Sequence, residues 1–427
     1  MRNIAIIGAG QAGLSLAFGL KKEGYGVTLF TNRTAEQIIK GRIMSSQGMF
    51  DSALRLERKW GLNFWDQQCP WNLSVTFTLG VPGLAQKGIQ WKGKTDKPFQ
   101  SIDQRIKFSR WLDEFKQIGG KIIIQDVGLT ELNTIAKWHE LTIVAGGKGE
   151  ISQCFPRDNS RSVFDKPARS LACMYVKGMT PIKDSPGVRA NLIPGVGEYF
   201  TMPGLTLSGH CEMMLFEGIP NGAFDCWHNL TNGEEQLEKS KKLLQQYVPW
   251  EAERCENLQL TDSQATLLGR YPPTIRKPVT KMPNGKLIMG MADTVVLNDP
   301  VAGQGANNAT KCAEIYLNSI IQHGNQPFDE IWMQQTFEQY WQQSASTATL
   351  WSNMLLSPPP PHVIDLLNAA SKFPVLANKL ANGFNDPSSL FPWITDATLT
   401  QTMIKQLENE EKSTFERNIS SNLLLRL

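Results

Sequence analysis

Six residues near the start of the chain, Gly8-Ala9-Gly10-Gln11-Ala12-Gly13, carry the spacing G-x-G-x-x-G. That spacing suits a dinucleotide pyrophosphate. Its first glycine permits a tight turn, the second lets the anion approach the backbone, and the third lets helix and strand pack closely. Free N–H groups at the helix start then face the negative charge. The apolar run Ile4-Ala5-Ile6-Ile7 ahead of it and Leu14-Ser15-Leu16-Ala17-Phe18 behind it supply the strand and helix that the motif requires. Gly8, Gly10, Gln11, Ala12 and Gly13 are therefore candidate cofactor contacts. A second cluster lies about three hundred residues further on. Asp293 follows the apolar run 286–292, and Asp299-Pro300-Val301-Ala302-Gly303-Gln304-Gly305-Ala306-Asn307 opens another helical pattern. An aspartate at a strand end can hold ribose or ribityl hydroxyls. A glycine turn at a helix start can place N–H groups beside the pyrimidine edge of a flavin, where negative charge develops on reduction. A nicotinamide fold does not need so distant a second site, and the pair points to FAD stretched between the two turns.

Other candidates flank these turns. The second strand ends in Thr31-Asn32-Arg33, where dinucleotide folds usually carry an acidic residue for the ribose. Two readings stay open: looser binding of the adenosine end, which is favoured, or recognition of a 2′-phosphate by Arg33. Gly41-Arg42 precedes a mixed loop through Phe50, suited to touch both phosphate and ligand. The strand 141–147 ends in Gly146 and Gly147, which fits backbone passing close beside a cofactor. Arg105 and Val127 join the cofactor-binding set, as do Arg42, Asp293, Ala306 and Asn307.

Composition narrows the class. The chain of 427 residues has a net charge of +3 with 19% charged residues, which gives no case for nucleic acid. Apolar stretches fall short of the roughly 18 residues of a membrane span, and a strand expected to begin three residues after Met1 leaves no room for a leader peptide. Seven scattered cysteines without C-x-x-C read as reduced thiols in a cytoplasmic protein, and five histidines without ligand spacing argue against a metal.

The elements expected to position these residues are an α/β, Rossmann-like FAD-binding domain, an inserted and mostly antiparallel sheet, and a helical C-terminal region. Strands are expected at 25–30, 73–79, 121–127 and 141–147, with a turn-rich hairpin at 86–94 and a helix at 101–118. From about residue 164, short strands at 171–176, 199–207, 212–216 and 223–228 give an antiparallel texture, followed by a helix at 234–247. The expected division is 1–72, 101–160 and 276–325 for the FAD-binding domain, 73–100 and 161–275 for the substrate domain, and 326–427 for the helical region.

The order of G-x-G-x-x-G, an arginine loop, an inserted sheet, then G-x-x-D and D-P-x-x-G-Q-G-A-N resembles the FAD-dependent aromatic monooxygenases of the hydroxybenzoate hydroxylase fold. Within them the chain looks most like the oxygenase component of two-component styrene and indole monooxygenases. The likeness covers most of the chain, including Phe164-Asp165-Lys166-Pro167-Ala168-Arg169. Single-component hydroxylases usually have two alanines and a histidine after the aspartate, and this chain has Asp293-Thr294-Val295-Val296. The resemblance implies an oxygenase fed with reduced FAD by a separate NADH-dependent flavin reductase, acting with O₂ through a flavin C4a-hydroperoxide. It implies epoxidation of indole, leading to indoxyl and indigo, or of styrene-like vinyl aromatics. Ser45, Gln47 and Met49 match indole-type members; styrene-type members place Asn, Val and His there. Met44 and Val75 complete the expected substrate pocket, with Ser45 or Gln47 bonding the indole N–H, although Asn72 stands where indole-type members tend to be aliphatic. No acid or base stands out. The N–H groups of 303–305, behind Pro300, are the expected stabilisers of the reduced flavin and its oxygen adduct, with Pro300, Gly303, Gln304 and Gly305 the catalytic set. A homodimer is compatible with this reading. The competing readings are a self-sufficient NAD(P)H-dependent hydroxylase and a flavin-binding protein without turnover.

Overall fold

The computed structural model describes residues 2–147, 149–182 and 184–424, with side chains described through residue 413. The chain opens with β1 (Asn3–Ile7), α1 (Gln11–Lys22), β2 (Gly26–Thr31), α2 (Ala35–Ile39) and α3 (Asp51–Trp60). It continues with β3 (Asn72–Gly80), β4 (Lys87–Phe99), α4 (Gln104–Gln117), β5 (Lys121–Ile124), α5 (Leu129–Trp138) and β6 (Leu141–Val144). Four longer strands follow: β7 (Ser170–Lys177), β8 (Gly187–Ile193), β9 (Gly197–Thr206) and β10 (Gly209–Gly218). Next come α6 (Gly233–Tyr247), α7 (Pro249–Ala252), β11 (Gln259–Leu260), β12 (Thr266–Gly269), β13 (Thr274–Ile275), β14 (Val279–Lys281), β15 (Leu287–Gly290) and β16 (Val296–Leu297). The rest is helical: α8 (Gly305–His323), α9 (Glu330–Tyr340), α10 (Ser346–Leu355), α11 (Pro361–Lys372), α12 (Pro374–Asn382) and α13 (Ala397–Leu424).

Two large sheets organise these elements. The first runs β14-β15-β6-β1-β2-β5, with every pairing parallel except β14–β15. Ile4, Ala5 and Ile6 of its central strand are fully buried, as expected of a strand covered on both faces. The second sheet runs β11-β7-β10-β9-β8-β3-β4, with β12 also paired to β7, and only β3–β8 is parallel.

Several sequence expectations change. Residues 86–94 are not a hairpin of their own, because β4 is one long strand paired to β3 with the turn before it. Its polar texture reflects a strand whose free edge is covered by α12. The Asn378 and Asn382 side chains accept from the Lys94 and Asp96 N–H groups, each at 2.8 Å. A Cβ at Gly93 would lie 2.1 Å from the Ala377 carbonyl oxygen, so only glycine lets that helix sit so close. Residues 223–228 form no strand; Phe224 and Trp227 are buried because they plug the core under β10 and α6. Strand β5 is shorter than expected and lies at the sheet edge, with Ile124 49% exposed. Strand β8 was hidden by Arg189, whose charge pairs with Glu251 at 2.6 Å. Helix α5 was not expected.

Candidate functional site

The parallel strands β1, β2, β6 and β15 point their carboxyl ends at one edge of the first sheet. That edge is where open α/β sheets hold ligands. At the end of β1, Gly8 has φ +114° and donates its N–H to the Phe30 carbonyl at 2.8 Å. A Cβ there would lie 2.4 Å from the Ala145 carbonyl oxygen, and one at Gly13 would lie 2.0 Å from that of Gly8. Gly10, between them, faces open space and caps α1 without any side-chain hydrogen bond. The first N–H groups of α1 thus lack a side-chain acceptor at the place where a phosphate is expected. Gln11 and Ala12 are buried, and the Gln11 amide donates to Glu57 at 2.8 Å and to Thr310 of α8 at 2.9 Å.

The second glycine turn stands beside the first, brought there by the packing of α1 against α8. Pro300–Ala302 form a single 3-10 turn, Gly303 follows at φ +62°, and a Cβ at Gly303 or Gly305 would meet no atom within 4 Å. Helix α8 also starts without a side-chain cap. Gln304 is buried, and its amide donates to the Ala302 carbonyl at 3.1 Å and the Phe384 carbonyl at 2.9 Å. Asn307 joins the turn to the loop at 45–50: its amide donates to the carbonyls of Gly48 at 2.7 Å and Gly303 at 3.1 Å, and it accepts from the Phe50 N–H at 2.9 Å. Ala306 packs beside Met49. Asp293 sits in the 3-10 turn Ala292–Thr294, directly after Ala292, whose φ of +48° is strained for a residue with a Cβ.

The remaining predicted contacts divide. Arg42 is exposed, and among the described residues its guanidinium joins no ion pair, as a phosphate contact would require. Thr31 is buried at the end of β2, Asn32 is exposed, and Arg33 lies against Met44 with its Nη2 3.2 Å from the sulfur. Gly146 is exposed just past β6, while Val127 packs against the first core. Arg105 departs from its expected role. It is 1% exposed and held by Asp103 and Asp262, both at 2.8 Å, while also donating to Thr206 and the Gly41 carbonyl. Burial opposes the charge on Asp262, but the two bonds from Arg105 hold that carboxyl below its usual range. Arg105 therefore clamps the base of the arginine loop.

The expected substrate residues are equally engaged with the protein. Ser45 donates to the Gln47 Oε1 at 2.8 Å, the Gln47 amide donates to the Ile102 carbonyl, and Tyr175 donates to the Ser45 carbonyl at 2.6 Å. Met49 is buried in a small cluster with Ala53 and Leu54, and Val75 is buried in the core under the C-terminal helices. The geometry offers a cavity that sequence reasoning did not find. It encloses about 430 Å³ between the second sheet and α10–α12, with Phe77, Trp91, Phe200, Val301, Trp351 and Phe384 among its walls. None of Met44, Ser45, Gln47, Met49 and Val75 lines it. Val301 belongs to the 3-10 turn ahead of Gly303, so the cavity adjoins the second glycine turn. Phe384 links the two sides: its ring lies 6.0 Å from Phe50 and 5.8 Å from Trp351. The available signal was the run of tryptophans and leucines around the prolines at 358–361.

Burial raises the pKa of all seven thiols, to about 12 at Cys69 and Cys173 and about 11 at Cys154 and Cys255. Among the described residues, no group of three acidic, histidine or cysteine side chains is placed to hold a metal. No helix among them is long and apolar enough to cross a membrane.

Comparisons with known proteins converge on the same reading. Residues 147–254 match the family described as "Styrene monooxygenase A putative substrate binding domain". Styrene monooxygenase StyA of Pseudomonas fluorescens is 25% identical over 397 residues, covering 90% of this chain and 93% of that protein. A flavoprotein/dehydrogenase from Cytophaga hutchinsonii superposes with a TM-score of 0.65 at 15% identity, covering 96% of this chain and 99% of the other. The flavin-dependent brominase Bmp2 superposes with a TM-score of 0.63 at 12% identity, again covering 96% and 99%. At such identities the two structures show a shared fold. The match to StyA adds similarity in sequence over most of the chain, and residues 147–254 are similar to the substrate-binding domain model of the same family.

Proposed function

We propose that this chain is the oxygenase of a two-component system, taking reduced FAD from a separate NADH-dependent flavin reductase and epoxidising indole, with styrene-like vinyl aromatics as alternative substrates. The observation that carries the reading is the meeting of two features at Val301: two uncapped, open glycine turns, and an aromatic-walled cavity adjoining the second. The residues fit FAD. Gly10 leaves room for a pyrophosphate at the start of α1, Arg42 supplies an unpaired cation, and Asp293 stands at the strand end for ribityl hydroxyls. When bound, reduced FAD supplies the two electrons by which O₂ gives one oxygen atom to a C=C bond and the other to water.

The protein's own contribution is positioning and exclusion of water. The N–H groups after Gly303 stand where negative charge would be stabilised, and the αL turn at Gly303 aims them. Gln304 donates to the Phe384 carbonyl and so ties that turn to the segment that roofs the cavity. At about 430 Å³ the cavity falls in the roughly 300–1,000 Å³ range of small-molecule sites, and its aromatic walls suit a flat apolar substrate. The Ser45–Gln47 pair sits on the loop stapled by Asn307, outside the walls of that cavity and bonded within the protein.

A coupled assay tests this directly: purified protein, a generic flavin reductase, FAD, NADH and indole in air. The expected outcome is blue pigment from indole, and epoxide when styrene replaces it. Consumption of neither substrate overturns the proposal, and rapid flavin reduction by NADPH with the protein alone overturns its two-component form.

A further inference from the structure

Four charged side chains lie together behind the second glycine turn and outside the cavity, one of them, Asp299, being the residue that opens the second motif. Arg169, at the start of β7, is 6% exposed, Glu198 of β9 4%, Glu217 of β10 fully buried, and Asp299 3%. Arg169 makes a bidentate pair with Glu198, at 2.7 and 2.8 Å, and also donates to the Ala168 and Leu356 carbonyls. Glu217 is the cross-strand neighbour of Glu198. Among the described residues its carboxyl oxygens receive no N–H or O–H from any side chain or backbone group, yet they lie within hydrogen-bonding reach of Asp299. Asp299 accepts from the Val301 N–H at 3.2 Å and so caps the turn leading to Gly303. Tyr271 packs nearby, its hydroxyl donating towards the Asn298 carbonyl at 3.5 Å.

If every carboxyl were ionised, this dry site would hold three negative charges against one guanidinium, and two acceptor-only groups would face one another. Such an arrangement is strongly unfavourable without a proton between them. We infer that Glu217 is a positioning residue: it stays protonated, donates its hydrogen to Asp299, and so fixes the ionised Asp299 as the cap of the Pro300–Ala302 turn. Burial drives the Glu217 carboxyl well above its usual range, with the charges of Asp299 and Glu198 acting the same way and Arg169 opposing them. Burial raises Asp299 too, while its hydrogen bond from Glu217, the Val301 N–H and Arg169 all favour its charged form. A carboxyl whose folded pKa lies above its unfolded value contributes fully below the unfolded pKa, and that contribution is lost as pH rises through the folded pKa. The cap is therefore intact below the pH at which Glu217 titrates and weakens above it, when a second charge appears beside Asp299.

This inference rests on the assignment of the second glycine turn to the flavin. The test is the dissociation constant of FAD, read by flavin fluorescence from about pH 6 to 9.5, for the unmodified protein and for Glu217→Gln. The glutamine amide donates to Asp299 without titrating. The unmodified protein is expected to lose affinity by about tenfold per pH unit above the titration of Glu217, and the variant to keep a flat alkaline limb. The same limb in both, or a uniform offset with no change in profile, overturns the inference. Infrared difference spectra of the unmodified protein read the proton even if the variant does not fold. A buried protonated-carboxyl band at pH 7 is expected, and its absence overturns the shared proton. Failure of the unmodified protein to bind FAD at about pH 6 would instead strike the flavin assignment, leaving the infrared result to stand by itself.

Discussion

In the first glycine turn, a methyl group at Gly13 would be driven to 2.0 Å from the Gly8 carbonyl oxygen, and one at Gly8 to 2.4 Å from that of Ala145. In the second, methyl groups at Gly303 and Gly305 would meet no protein atom within 4 Å. Glycine is required in the first turn by the protein's own close packing. In the second it is required by nothing in the protein beyond the positive φ of Gly303. Gly10 shows that the first turn holds both kinds, since it faces open space between two crowded neighbours. Glycines that the fold does not need are the ones left to serve a ligand, so stability and cofactor affinity should separate cleanly between the two turns.

The largest expected effect comes from Gly13→Val. The clash is with backbone, which has no rotamer to yield, and α1 must move off β1. A loss on the order of 4 kcal/mol or more is expected, seen as failure to fold or a collapsed denaturation midpoint. A variant with native stability would break the comparison at its first half.

Gly303→Val should divide the two quantities the other way. A β-branched residue at φ +62° costs about 1–2 kcal/mol in backbone strain, so the fold is retained with a lowered midpoint. FAD affinity is expected to fall at least a hundredfold, which is about 2.7 kcal/mol, because the side chain enters the open space beside the turn. Normal affinity, measured by flavin fluorescence, would show that the second turn does not face the cofactor.

The same contrast explains what was legible in the sequence. Turn 8–13 with its strand and helix could be read because all its determinants lie within about twenty residues, in a period and a spacing. The 303–307 turn was legible for the same reason. The partners of Arg105 were out of sight because sequence shows an arginine at a helix start but not Asp262, which arrives from more than a hundred and fifty residues away to hold it. The cavity is assembled from β3, β4, β8, β9, one residue of the second turn and three C-terminal helices, and no local pattern encodes such a meeting. Glu217 was invisible for a related reason. In Met214-Leu215-Phe216-Glu217-Gly218 it reads as one polar residue in a strand, and its partners at 169, 198 and 299 are distant.

The finest test of the comparison is Gly305→Ala. Gly305 opens α8, has no positive φ, and a Cβ there meets nothing. Alanine at such a position restricts the unfolded chain more than glycine does and favours the helix, so stability should rise by about 0.5–1 kcal/mol. The methyl would still enter the space beside the uncapped N–H groups, and FAD affinity should fall by about tenfold, or 1.4 kcal/mol. A substitution that strengthens the fold while weakening cofactor binding cannot be explained by general damage. Denaturant midpoints and FAD titrations on one preparation measure both signs. If affinity and stability rise together, the space beside Gly305 is not where the flavin lies, and the second turn would owe its glycines to helix initiation alone.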